Sequence, residues 1–459
     1  MSGATLPAGQ RPSDGAAEAL RGVADGPDLQ SLGVEMCGVI RELYPICRSI
    51  TGDGLRRSLR ILQRIAPIVL HEVPSGTQVF DWVVPREWNL RAARLVAPDG
   101  EVVADAERLS LHVLNYSAPF HGRVSREDLE RHLYSIPDQP ALVPYRTSYY
   151  RDDWGFCLAH ERRTRLPAGD YDVVIDTTLA DGSLTYGELV LPGERTDEVL
   201  VSAHCCHPSL ANDNLSGMVL AATLARLLRG FAPRYTYRFL FIPGTIGAIT
   251  WLALNEERAR RIAHGLVVAC VGDSGRLTYK RSRRGNAEID RAVIQVLAHS
   301  GQDHDVRDFT PYGYDERQYC SPGFDLAVGS LTRTPHGEYP EYHTSGDDLA
   351  LVKPDRLADS LRRYLEVFEV LEGNRTYLNL SPKCEPQLGK RGLYESVGGR
   401  SHAVASQMAM LWVLNLSDGT RSLLDVVESS KLSFPAVRSA ALALERAGLL
   451  RVKTENDVP

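Results

Sequence analysis

The sequence predicts an α/β fold on a three-layer, mostly parallel or mixed sheet, and three observations carry that expectation. From residue 198 onward, apolar β-branched runs alternate with helical ones: strand 198–203, helix 217–228, strand 235–242, helix 246–255, strand 265–271 and helix 289–299. That rhythm builds βαβ units. The run 198–203 is apolar on both faces, as a strand buried inside a parallel sheet must be. Polar residues gather directly after it, in His204-Cys-Cys-His207 and Asn212-Asp-Asn214, at the strand end where open α/β sheets do their chemistry.

The remaining elements follow in order. Residues 1–30 are rich in Gly, Ala, Pro and Asp without an apolar period and read as a disordered tail. Helical spacing over 34–43 and 55–65, broken at Pro45 and around 51–54, predicts a helical hairpin. Short alternating stretches from 71 to 125 read as a small inserted β-rich domain. Strands are expected at 171–178 and 184–191, and the helix 354–371 starts after Lys353. The α/β domain thus takes residues 32–70 and 126–385. Helical segments at 401–414, 422–429 and 434–447, then a β-leaning 449–452, give a C-terminal winged helix-turn-helix over 390–459.

Composition narrows the class. The 459 residues are 43% hydrophobic and 24% charged with a net charge of -6, the profile of a globular protein with no global attraction to nucleic acid or anionic membrane. No apolar run approaches eighteen residues, and the N-terminal stretch lacks the order of a signal peptide. Eight scattered cysteines without a CxxC pair fit a reducing compartment. Cytoplasmic location is the expectation. In the winged helix, Arg438 and Arg446 share segment 434–447 with Glu445, and this mixed charge argues against DNA and for protein contact, oligomerisation or internal packing.

His204 and Asp213 offer an imidazole and a carboxylate, donors suited to Zn²⁺, whereas capping alone would explain the Asn/Asp run but not the histidines. Asp273 follows a predicted strand, and Tyr342-His-Thr-Ser-Gly-Asp-Asp348 follows a Gly/Pro-rich loop. With these segments the chain resembles the zinc aminopeptidases that include the bacterial leucyl aminopeptidases. More closely, through stretches such as Leu43-Tyr-Pro-Ile-Cys-Arg-Ser-Ile-Thr-Gly52 and Asp315-Glu-Arg-Gln-Tyr-Cys-Ser-Pro-Gly-Phe324, it resembles an uncharacterised bacterial family of aminopeptidase-like proteins. Those proteins carry an inserted β domain and a C-terminal winged helix. The resemblance covers nearly everything after the tail and implies a sheet of the zinc-exopeptidase type.

Carried over position by position, the resemblance implies metal ligands at His204, Asp213 (the metal-bridging position), His343 and, less directly, Asp273. Two departures matter. An Asp that orients the first imidazole is replaced by Cys206, and the His207 that follows is an alternative ligand or a substrate contact. The glutamate expected as general base is Gly244, and the second-metal position is Thr245, so a single zinc is expected. Glu316 and Glu341 are then the nearest candidates for a replacement base, and Arg317, Tyr319 and Tyr342 for orienting substrate. An ion pair between Glu316 and Arg317 is the structural alternative. Cys205 or Cys206 as a nucleophile paired with His207 is disfavoured, because adjacent residues rarely face each other for proton transfer.

The expected activity is zinc-dependent hydrolysis of a peptide-like or small amide substrate through a metal-activated water, slowed by the loss at 244. The alternative is a catalytically degraded relative kept for binding or scaffolding in a biosynthetic pathway. Transcriptional regulation ranks last.

Overall fold

A computed structural model describes residues 12–393, 401–454 and 457. Its central sheet has eight strands in the order Val69–Pro74, Ser183–Leu191, Thr236–Ile242, Glu198–His204, Ile262–Val268, Val328–Thr332, Leu277–Lys280 and His304–Arg307. The four strands from Thr236–Ile242 to Val328–Thr332 run parallel, and antiparallel strands flank them. Glu198–His204 is buried along its whole length, as its apolar sequence predicts.

Helices Leu29–Leu43, Gly217–Leu228, Glu288–Ala298 and Pro354–Gly373 cover one face in a single apolar core. Ile246–Leu254 and Glu316–Tyr319 contribute to a second core on the other face, which makes three layers. Gly217 opens its helix hard against the sheet: a Cβ there would lie 2.3 Å from the Val268 carbonyl oxygen. Only glycine lets the loop carrying Asp213 descend onto the strand ends.

The structure moves three expected boundaries. Within 1–30, residues 12–24 are not a tail but the helix Pro12–Ala24, which buries Ala16, Ala17, Leu20 and Ala24; residues 1–11 lie outside the described ones. Its small, evenly spaced apolar residues make a flat stripe that only tertiary packing reveals. The inserted module does not end at 125. Its four-stranded sheet is closed by Asp170–Ala180, and Val69–Pro74 belongs instead to the central sheet. The winged helix begins before 390, because Thr376–Asn379 is the middle strand of its sheet, between Asp418–Ser422 and Leu450–Val452. Its helices are Ser401–Leu416, Leu423–Ser430 and Phe434–Arg446. In the last of these Arg438 is buried against Gly373, and Arg291 of the α/β module bonds Asp425 and Glu428 at 2.6 Å each. Among the described residues no helix is long and apolar enough to cross a membrane.

One ion-pair cluster ties the central strands together. Arg238 grips Glu198 with two hydrogen bonds of 2.6 and 2.9 Å and also donates to Glu188, which accepts a second bond from Trp251 Nε1 at 3.0 Å. All three charged residues are buried. Removing the cation strands two carboxylates in the core, so Arg238→Ala is expected to lower stability by about 3–5 kcal/mol in urea unfolding.

Candidate metal centre and its cavity

His204 ends its central strand, and the irregular turn Ala211–Ser216 brings Asp213 back over it. The turn is stitched to neighbouring strand ends. Asn214 Nδ2 donates to the carbonyls of His204 (3.1 Å) and Val268 (3.0 Å), and Ser216 Oγ donates to Asn212 O (2.6 Å). Asp347 accepts the backbone N–H groups of Asn212 (2.6 Å) and Asp213 (2.9 Å) and the Tyr339 hydroxyl (3.3 Å).

So held, the fully buried Asp213 carboxylate accepts from His204 Nε2 at 2.8 Å and from His343 Nε2 at 3.0 Å. His343 sits at φ +54°, a left-handed conformation in which a non-glycine residue is uncommon and often functional. Its loop is pinned by Tyr145 N–H donating to His343 O at 2.7 Å, and the Tyr145 ring stands edge-on to both His207 and His343.

His207 completes the cluster. One donor atom each from His204, His207 and Asp213 lie within 4.8 Å of one another. Buried Arg48 fixes the His207 carbonyl through Nε at 3.0 Å, and His207 Nδ1 is buried with no hydrogen-bond partner. Burial pushes the His207 imidazole well below its usual range, so it stays neutral, the form that ligates metal. Burial also works against an ionised Asp213, but the surrounding imidazoles, two of them donating to its oxygens, more than offset it and hold the carboxyl well below its ordinary value. An unpartnered imidazole nitrogen beside a carboxylate and two further imidazoles is a donor set that fits zinc.

Asp273 turns elsewhere: its oxygens accept from Asn212 Nδ2 (2.9 Å), Gly275 N (2.6 Å) and Thr334 Oγ1 (2.6 Å), so it braces the turn rather than joining the cluster. Tyr319, expected to orient substrate, is fully buried and hydrogen-bonded to Ser202 Oγ at 2.9 Å. Glu316 faces away from the cluster, in an ion pair with Lys280 rather than Arg317. Glu341 offers its main-chain carbonyl to Thr344 in the turn that presents His343.

His204 and His207 line a cavity of about 410 Å³ together with Gly244, Asp315, Arg317 and Tyr342. Tyr342 stacks on His343 with centroids 4.0 Å apart. Asp315, next to the expected Glu316, is the acid on the cavity wall. Its Oδ1 accepts from Thr245 N at 2.8 Å, while Oδ2 is buried without a partner. Burial pushes its carboxyl up to about 6, against the pull of His204. Its signal was present in the Asp-Glu-Arg-Gln run, but spacing alone did not say which of two adjacent acids faces inward. The cysteines beside the histidines are unfit as nucleophiles: burial drives Cys205 well above, and Cys206 to about 12.

Residues 38–374 match the family described as a domain of unknown function, DUF4910. The chain belongs to that family. Residues 375–452 match a winged helix-turn-helix family, in accord with the sheet and helices found there. Over 420 residues, 92% of this chain and 96% of the relative, the DUF4910 chain is 50% identical to a Clostridium acetobutylicum protein. That protein's name gives it an aminopeptidase-like domain and, provisionally, a part in polysaccharide biosynthesis. A C. acetobutylicum crystal structure described provisionally as a peptidase superposes with a TM-score of 0.90 at 47% identity, covering 95% of this chain and all of that one. A zinc aminopeptidase from Bacillus subtilis shares the fold, with a TM-score of 0.52 at 15% identity over 78% of this chain and 95% of that one. The DUF4910 module is therefore an aminopeptidase-like α/β fold with a C-terminal winged helix.

Asp347 accepts the peptide N–H groups of Asn212 and Asp213, so for a zinc ion held by this cluster Asp347→Ala is expected to weaken binding by about 10–100-fold. A competition titration against a chromogenic chelator reads this, with circular dichroism confirming that the fold is kept.

Proposed function

We propose that the protein is a zinc-dependent, aminopeptidase-like amide hydrolase acting on small peptide-like or amide substrates in the cytoplasm. The observation that carries the reading is the clustering of His204, His207 and Asp213 donor atoms within 4.8 Å at the end of the central strand, on the wall of a cavity. His204, Asp213 and His207 or His343 would hold the ion, with Asp213 set between two imidazoles. Zinc bound by such donors supplies Lewis-acid polarisation of a carbonyl and makes water acidic enough to attack near neutral pH.

The chain's own residues supply the proton traffic and the shape. With Gly244 in the expected base position, Asp315 is the carboxylate among the cavity-lining residues. Its unpartnered Oδ2 accepts a proton, and a carboxyl titrating near 6 both ionises at neutral pH and holds that proton usefully. The winged helix serves internal packing in this reading, since Arg438 is spent against Gly373.

Gly244 itself favours a second reading, a degraded relative that binds a ligand without turning it over, in keeping with a relative named for polysaccharide biosynthesis. The two are separable because position 244 accepts a side chain. A Cβ there would meet Cys206 Sγ at 3.4 Å and His204 Cβ at 3.5 Å, ordinary contacts, and its backbone is not left-handed. On a panel of aminoacyl amides with metal content measured, Asp315→Asn is expected to cut turnover by about 10²–10⁴-fold, and Gly244→Glu to raise it. Zinc-loaded protein that is inert both as wild type and as Gly244→Glu would establish the binding reading instead.

A further inference from the structure

The cavity beside the histidines has two chemically different sides. One is apolar and aromatic: Tyr149, Tyr150, Ile246, Ile249 and Trp82 line it. Trp82 arrives on the two-stranded hairpin of Gln78–Val79 and Trp82–Val83 from the inserted module, and its ring meets Tyr150 edge-on at 5.5 Å. Both residues stay nearly half exposed at the cavity rim, at 44% and 46%, although aromatic surface of this size is normally covered.

The other side carries Arg317. Its Nε is buried without a hydrogen-bond partner. Its contacts are a long 3.4 Å hydrogen bond from Nη2 to Thr245 Oγ1 and the Tyr312 ring at 5.8 Å. Among the described residues no carboxylate stands within 4.0 Å of it, in contrast to buried Arg238, which is fully paired. Of the neighbouring acids, Glu316 pairs with Lys280, and Asp315 accepts from Thr245 N through Oδ1 while its Oδ2 makes no bond to the guanidinium. A guanidinium that lines a cavity without a carboxylate partner is matched best by a planar oxyanion, which its fork of N–H donors suits. Asp315 on the same wall disfavours a dianion such as a phosphate, so a single carboxylate is the fitting charge.

We propose that the cavity takes a small amide bearing a free carboxylate and a bulky apolar or aromatic side chain, the class of N-acyl amino acids and short apolar peptides. Arg317 receives the carboxylate, and the Trp82–Tyr150 wall receives the side chain. The volume of about 410 Å³ suits a molecule of that size. The inference deepens the hydrolase reading by naming its substrate class, but it rests on the cavity and stands as a binding statement without turnover.

The test is equilibrium binding by calorimetry on full-length protein stripped of metal with a chelator, so that neither catalysis nor carboxylate–zinc coordination contributes. N-acetylphenylalanine is compared with the uncharged N-acetylphenylalaninamide. Wild type is expected to bind the carboxylate at least about tenfold tighter, as one charge-assisted hydrogen-bonded pair provides. Arg317→Gln should erase that preference and Arg317→Lys restore part of it. Trp82→Ala, at the exposed rim, should weaken both probes alike. Equal affinities in wild type, a preference that survives Arg317→Gln, or no binding of either probe would overturn the proposal. Zinc-loaded protein that binds the carboxylate probe yet hydrolyses nothing would remove the hydrolase reading and leave this one standing.

Discussion

The structure around the sheet's active end depends on one constraint: the Asp213 carboxylate is fully buried and must be compensated from every side. Two imidazoles donate to its two oxygens, and a third lies close by. Asp347 holds its backbone from below, and Asn212, held in turn by Asp273, fixes the turn from behind. Gly217 gives the room that lets this turn settle on the strand ends. Three further chain segments, 204–207, 273 and 343–347, are thus committed to placing one carboxylate, more order than a capped helix start requires.

This constraint explains what was legible in the sequence and what was not. Long, strongly apolar strands such as Glu198–His204 announce themselves, because burial on both faces leaves no choice of residue. Leu277–Lys280 and His304–Arg307 do not: they are four-residue strands toward one edge of the sheet, with polar residues where alternation would need apolar ones. The far end of the inserted module is not legible in the sequence because Asp170–Ala180 pairs with strands distant in sequence, and local pattern holds no record of partners. Among the site residues, His204, Asp213 and His343 lay in motifs whose resemblance pointed to them. Asp273 and Tyr319 carried equally suitable chemistry, and only tertiary contacts show that Asn212 and Ser202 take them up. Asp315 and Glu316 differ by one residue at the start of a single helical turn. That step alone decides which acid meets the cavity and which meets Lys280.

The two departures from the aminopeptidase pattern are in contact with each other. Gly244 N–H donates to Cys206 Sγ at 3.2 Å, and that sulfur is the nearest atom to a Cβ built at 244. Where the resemblance implies an orienting aspartate and a general-base glutamate, this chain has a thiol and a hydrogen, and the thiol is kept neutral by burial. Asn214, rather than a carboxylate, stands at His204 Nδ1 with its amide 3.3 Å away.

The negative charge removed at 206 and 244 is partly returned across the same loop. Asp315 caps Thr245 N–H, whose φ of +67° is unfavourable for a threonine and is held there by that bond, so the acid and the loop at Gly244 are one mechanical unit. Asp315 lies on the same cavity wall as Gly244, with its Oδ2 buried and unpartnered, and takes up no space at position 244. With Cys206 and Gly244 where the resemblance implies carboxylates, a second metal would find fewer anionic donors here, and the proposed substrate carboxylate at Arg317 would meet less repulsion. The proposed single metal, the proposed base at Asp315 and the proposed anionic substrate are each compatible with a glycine at position 244.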